Sequence, residues 1–419
     1  MPSATNDALP TTFNRLAWSN LAAQSAEQIA LAAAPIVAVL MLGVGEGQTG
    51  LLQTALTLPF VLFAIPAGLL ADRMSRRWLM ASAEALRAVA LAAILLLIWF
   101  DLLTLNLLAL IGFVAVCGTV VYSVAAPSLV PSLVPSTLLP AANARIELAR
   151  TIAFAAGPAL GGALVGWVGG APAFGVAAAL SAVAVVLLAG IYEPARAPVP
   201  RRHPWREIKE GAAFVFNHAL LRPVFITQFI FNTASFLILA VFVPYAVRHL
   251  GLSATGVGIT LAMYGGGMVV GALLATRVMR RLPFGTVIAL GPVTGFVAAG
   301  VMALTTVAPT PILAGLSFFL LGAGPILWVI STTTLRQSVT PPSLLGRASA
   351  INIMAYGARP LGAALGAVVG EAYGAEMCLY LAVIGFGAQA LVILVSPAVR
   401  LLTQPGSVAE PRAAAAVKC

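Results

Sequence analysis

Charge is scarce in this sequence. Only 9% of its 419 residues are Asp, Glu, Lys or Arg, and 60% are hydrophobic, whereas soluble domains carry roughly 25% charged residues. A chain of this length cannot clothe a water-facing surface with so few charges. A soluble globular fold is therefore excluded, and outward-pointing side chains must meet lipid. Cysteine is equally sparse: Cys117, Cys378 and Cys419 lack CxxC spacing, so neither a disulfide framework nor a zinc site is indicated. Histidine is limited to His203, His218 and His249, all near loops or helix ends. No HExxH, GxSxG or phosphate-binding loop occurs, which argues against a membrane enzyme; no cofactor or metal is expected. With no nucleotide-binding domain, pumping has to draw on an ion gradient or run downhill. Residues 1–14 also lack the basic start and cleavable apolar core of a signal peptide.

What the sequence has instead is a succession of apolar runs. Helices of roughly 20–25 residues fit about twelve times, from 16–42 at the start to 374–398 at the end. The expectation is an all-α membrane protein of twelve transmembrane helices in two six-helix bundles. The N-terminal bundle takes 1–193, a linker 194–221, the C-terminal bundle 222–400 and a tail 401–419. The net charge of +10 is concentrated in alternate loops, around Arg73, Arg76 and Arg77, then Arg196 to Lys209, then Arg277, Arg280 and Arg281, and finally Arg400. The intervening loops hold Glu46, Asp101, Glu371 and Glu376, with Arg248 the exception. The positive-inside rule then puts both termini in the cytoplasm, and makes the basic excess an orientation signal and headgroup contact rather than a nucleic-acid surface. Within the linker, Trp205, Ile208, Ala212, Val215 and Ala219 recur at helical spacing. That predicts an amphipathic helix lying on the headgroups. The tail after Arg400, with QPGS and a run of alanines, reads as poorly ordered. The segments LLPAANARIELARTIAFAAGPALGGAL and LLGRASAINIMAYGARPLGAALG lie near 205 residues apart, each reaching a proline, Pro158 and Pro360, in a small-residue helix. A duplicated six-helix unit leaves such a trace.

After the second apolar run comes Gly68-Leu-Leu-Ala-Asp72-Arg73-Met-Ser75-Arg76-Arg77. GLLADRMSRR resembles the signature GxLaDrxGrk between the second and third helices of the major facilitator superfamily, with Ser75 in place of the second glycine. The resemblance implies that Asp72 caps a neighbouring helix and pairs with Arg73, Arg76 and Arg77, a latch on the outward-facing state. Gly157-Pro158-Ala-Leu-Gly161-Gly162 resembles the GPxxGG element of the superfamily's antiporter branch, which implies efflux. Proline there removes a backbone bond and the glycines permit close helix approach, a pliable hinge. LVPSTLLPAANA, EALRA and GRASA resemble the siderophore and macrolide exporter subgroup. The fourth run, LLALIGFVAVCGTVVYSVAA, lacks the arginine that many drug and proton antiporters place there, a departure from the commonest proton-coupling arrangement.

Ionisable groups inside a membrane cost roughly 2.5–3.5 kcal/mol each on insertion scales, so each requires a reason. Asn20, Gln24, Glu27 and Gln28 form one polar stripe in the first run, which predicts a cavity-facing surface. Glu27 lies about 18 Å along the helix from Arg15, near mid-membrane, where it either carries a proton or serves as a structural hydrogen-bonding partner. Gln228, Asn232 and Ser235 form an uncharged counterpart, and Arg359 lies about 21 Å into the eleventh run. It either neutralises Glu27 or holds an anionic substrate group. Glu84 with Arg87 and Glu147 with Arg150 are explained by local i,i+3 pairing, but the fifth helix lines the pathway in the resembled family, which makes Glu147 the second proton-coupling candidate after Glu27 and Arg150 a substrate-pathway candidate. Phe231, Phe236, Tyr264, Trp328 and Tyr356 are read first, one by one, as packing or lipid-facing, with the lining of an apolar pocket as the alternative. The expected function is export of a small amphipathic organic compound by a monomeric carrier in the bacterial inner membrane, coupled to protons. A proton symporter or facilitated importer is the alternative. Its partners are the substrate, protons and lipid.

Overall fold

The computed structural model describes residues 10–135, 138–193 and 204–406. Among these the secondary structure is helical: α1 Thr11–Leu42, α2 Glu46–Arg73, α3 Arg76–Trp99, α4 Leu105–Leu133, α5 Leu139–Val168, α6 Gly170–Ala189, α7 Pro204–Asn217, α8 Leu221–Arg248, α9 Ala254–Arg281, α10 Phe284–Leu304, α11 Pro311–Val339, α12 Pro342–Met354 and α13 Ala358–Leu394. Ten described helical segments are long and apolar enough to cross a membrane, and the chain is a multi-pass membrane protein. Helices are the economical solution in lipid because each satisfies its own backbone groups. Their ends are set by local chemistry: Ser75, Thr104 and Ser253 accept hydrogen bonds from the first turns of α3, α4 and α9, and Gly43 closes α1 with left-handed φ of 66°.

Contacts fall mainly within two sets of helices. In one, α1 packs on α5 and α6, α3 on α4 and α6, and α2 on α4; in the other, α8 packs on α13, α9 on α11, and α10 on α11 and α13. The sets meet through α5 with α9 and α2 with α13 and α8. We call the side holding the Met74–Ser75 turn and the start of α7 the linker face, and the side holding Gly43–Gly45 and Gly169 the far face.

Three expectations change. The apolar side of α7 is covered by protein, not by headgroups: Val215, Ile208 and Ala212 join a cluster with Leu335, Ala348 and Ile351, and Glu210 accepts from Arg347 Nη1 of α12 at 2.6 Å. Most of the proline-rich stretch before it, 194–203, lies outside the described residues, as does 407–419. The first tail residues are held, since Gly285 N donates to Leu401 O at 2.7 Å and Gln404 Nε2 to Ser338 Oγ at 2.9 Å. The eleventh run is broken into α12, a 3-10 turn Ala355–Gly357 and α13. Pro360 explains the break, because its ring excludes a helical carbonyl at Tyr356.

Candidate functional site

Where the two sets meet at mid-depth, they enclose a cavity of about 260 Å³. Its walls are Glu27, Gln28 and Leu31 from α1, Gln53, Thr57 and Phe60 from α2, Phe154 and Pro158 from α5, Phe231, Asn232, Ser235 and Phe236 from α8, Tyr264 from α9, Phe318 from α11 and Arg359 from α13. Ligand sites have this make-up, an apolar and aromatic enclosure with few polar groups to set orientation.

Two charges of opposite sign share this wall. Glu27 has no hydrogen bond or ion pair among the described residues. The charges that act on it are Arg87 and Glu84 from α3, Arg359 from α13 and Arg150 from α5. Arg359 is fixed more firmly: its Nε donates to Asn232 Oδ1 at 3.1 Å. Its guanidinium lies over Tyr356, Phe236 and Phe60 at 4.3, 5.4 and 5.6 Å from the ring centroids, an arrangement that favours the cation. Asn232 in turn donates to Gln228 O at 2.8 Å. Glu27 and Arg359 therefore face one cavity without pairing.

The polar stripe of α1 divides. Glu27 and Gln28 reach the cavity, whereas buried Asn20 donates to Ile146 O of α5 at 3.3 Å, and Gln24 is half-buried off the wall. In α8, Asn232 and Ser235 line the cavity but Gln228 is buried beside it. Glu147 pairs with Arg150 on α5 toward the linker face, and the Arg150 guanidinium lies 5.4 Å from the Phe154 ring centroid. Phe231, Phe236 and Tyr264 take the pocket-lining alternative and Tyr356 lies against the Arg359 guanidinium, whereas Trp328 packs, buried against Gly291.

Sequence reading passed over Gln53, Thr57, Phe60 and Phe154. Gln53 and Thr57, four residues apart in an apolar helix, were the available signal. It also treated Glu84 and Arg87 as an ordinary pair, yet they are 0% and 3% exposed. Arg87 lies eleven residues into α3, about 16 Å deep, so the depth argument applied to Glu27 applies equally to it.

The glycine motif of α5 is a contact surface on two sides. A Cβ on Gly157 or Gly161 would strike Gln28 or the Ile29 carbonyl of α1, while one on Gly162 would meet Ala254 O and Gly258 of α9. In α13, Gly362 and Gly366 meet Thr233 and Ala240 of α8 in the same way. The offset is 205 residues at both glycines, as it is between Glu27 and Asn232.

At the linker face, the side chains of Asp72 and Arg73 lie outside the described residues, and Gly68 packs loosely near Val124. Ser75 Oγ donates to Glu193 Oε2 at 2.5 Å, and the Arg76 and Arg77 amides donate to the same carboxylate at 3.2 and 3.1 Å. The Arg77 guanidinium donates to Ile191 O. These contacts stay within the α1–α6 set.

Long apolar helices in two sets enclose a central cavity that carries two charges of opposite sign. The overall arrangement matches solved structures of major facilitator superfamily transporters; one bacterial homologue of the human lysosomal transporter Spinster superposes with a TM-score of 0.72 at 16% identity, over 94% of this chain and 98% of that one. The chain belongs to the transmembrane secretion effector family of that superfamily, whose model matches residues 12–411. It is a transporter and not an enzyme. An uncharacterized MFS-type transporter, y4rN of Sinorhizobium fredii, is 34% identical over 58% of this chain, a match that spans 60% of that protein's length. The multidrug efflux pump Tap of Mycobacterium tuberculosis is 27% identical over 92% of this chain and 93% of its own. The enterobactin exporter EntS of Citrobacter koseri is 27% identical over 79% and 77% respectively.

Proposed function

We propose that this protein exports a small amphipathic organic compound, drug-like or siderophore-like, by alternating access with proton antiport at Glu27. The carrying observation is one unpaired carboxylate at mid-depth on the wall of a largely apolar and aromatic cavity that also carries Arg359, between two helix sets that approach closely at α5 with α9. A buried carboxylate without a partner is costly when ionised. It therefore exchanges its proton according to what else occupies the cavity, which is the requirement of an antiporter. Relatives named as a multidrug efflux pump and an enterobactin exporter support the outward direction. Counting α2 as a pass and dividing α13 at Gly374, where φ is 81°, gives twelve passes in two six-helix bundles. We place the protein in the inner membrane as a monomer, with both termini in the cytoplasm.

A second reading follows from Arg359. Its Nη atoms have no acceptor among the described residues, a free fork suited to an anionic group. An anion bound there favours protonated Glu27, and by linkage proton and substrate then bind together, the signature of symport. Proteoliposomes decide between the two, using a substrate found by thermal-stabilisation screening of drugs, siderophores and lipids. Under antiport, substrate binding releases protons. Glu27→Gln then loses gradient-driven efflux and keeps exchange at uniform pH. Unchanged gradient-driven efflux in this variant overturns the role of Glu27, and proton uptake on binding selects the symport reading.

A further inference from the structure

The pair left unused by the transport reading is Glu84 with Arg87. Arg87 is clamped by four helices: Nη2 donates to Glu84 Oε2 of its own α3 and to Ala23 O of α1, both at 2.6 Å, Nε to Ser181 Oγ of α6 at 3.0 Å, and Nη1 to Thr119 Oγ1 of α4 at 3.2 Å. Glu84 Oε1 is buried without a hydrogen-bond partner, with Ser181 beside the carboxylate. A second cavity, of about 30 Å³, has Glu27, Arg87 and Thr119 among its lining residues; nearly all the others are apolar, including Leu91, Val116 and Phe174. That volume exceeds the ~10–15 Å³ that one water needs, and three polar side chains supply the two to four partners it requires. Two carboxylates and one guanidinium here carry a net negative charge when all are ionised, in surroundings that solvate it poorly. One bound proton makes the cluster neutral. Glu84 is held directly by Arg87, so the exchangeable proton belongs to Glu27.

We propose that Glu27, Arg87 and Glu84 form a single buried proton-binding site, bridged by one water in the small cavity, in which Arg87 is the positioning residue that lets Glu27 ionise. The proton leaves the Glu27 carboxyl toward the large cavity, and the resulting carboxylate accepts hydrogen bonds through the water from Arg87. The other charged or titratable groups facing Glu27 are Arg150 from α5 and Arg359 from α13, with Tyr264 of α9 on the same wall. The inference concerns the proton alone and holds for either direction of transport.

Infrared titration of the purified protein tests it without a substrate, by following the carboxylic-acid C=O band against pH. Glu27→Gln should remove one titrating band. The charge-neutral pair Glu84→Gln with Arg87→Gln should raise the midpoint of that band by about one pH unit or more, since the cation favouring the carboxylate is gone. Ala115→Val, which fills the small cavity and changes no charge, should raise it in the same direction and keeps the test available if the paired variant does not fold. A midpoint unchanged in Ala115→Val, or in a folded paired variant, overturns the proposal. So does a band that survives Glu27→Gln.

Discussion

Ser75 stands where the loop signature has glycine, and its hydroxyl has two uses. It accepts from Trp78 N at 3.4 Å as the cap of α3, and it donates to Glu193. Glu193 thereby places a carboxylate against the positive end of α3, where anions are stabilised. Loss of that carboxylate in Glu193→Ala should cost about 1 kcal/mol, read as a lower unfolding temperature in detergent, with Glu193→Gln recovering part of it. An unchanged unfolding temperature would remove Glu193 from the list of structural contacts at this face. The same scale shows how one position is used twice. Glu27 and Asn232 occupy equivalent places in the two sets: the acid meets the cavity unpaired, and the amide holds Arg359 at 3.1 Å.

Helices α5 and α9 cross closely enough that an added Cβ on Gly258 would come within 2.6 Å of Pro158 O and 2.8 Å of Gly162 Cα. Backbone cannot yield as a flexible side chain does. Gly258→Val should therefore oppose closure of the far face by about 1–3 kcal/mol, shifting the population by roughly five- to 150-fold. Spin labels on the far-face ends of α5 and α9 would report a longer distance and slower transport. An unaltered distance distribution would show that this contact does not govern closure. Gly157, Gly161 and Gly162, the residues expected to form a hinge, make close contacts with α1 and α9 inside an unbroken α5.

For the molecule as a whole, the far-face closure is reinforced by Arg248, which donates to Val44 O at 2.9 Å and pairs with Glu46 at 3.3 Å across the two sets. The pair is half-exposed and adds little by itself; apolar backbone contact carries the closure. The orientation proposal makes a simple prediction. A cysteine at Arg281, exposed at the linker face, should react with an impermeant thiol reagent only from the cytoplasm, and one at Asp101 only from outside. The reverse pattern would invert the topology and the sense of transport. Cys117 is partly exposed and Cys378 buried, and Cys419 lies in the tail, so the assay needs a background lacking all three.

Composition alone determined that this chain needs lipid, because 9% charge cannot cover a surface in water. Periodicity and loop charge were enough to predict helices and an orientation, since both depend on residues close in sequence. GLLADRMSRR and GPALGG were legible as family marks for the same reason, and the depth of Glu27 could be reckoned from rise per residue along an unbroken α1, whereas the count to Arg359 ran across the break between α12 and α13. Tertiary structure decided which polar groups share a space. Asn20 and Gln28 are eight residues apart on one helix, yet one bonds α5 and the other lines the cavity. Glu84 and Arg87 read as a local pair until α1, α4 and α6 closed around them. Contacts between helices depend on crossing geometry and small-residue packing distant in the chain, and no local window of the sequence contains that information.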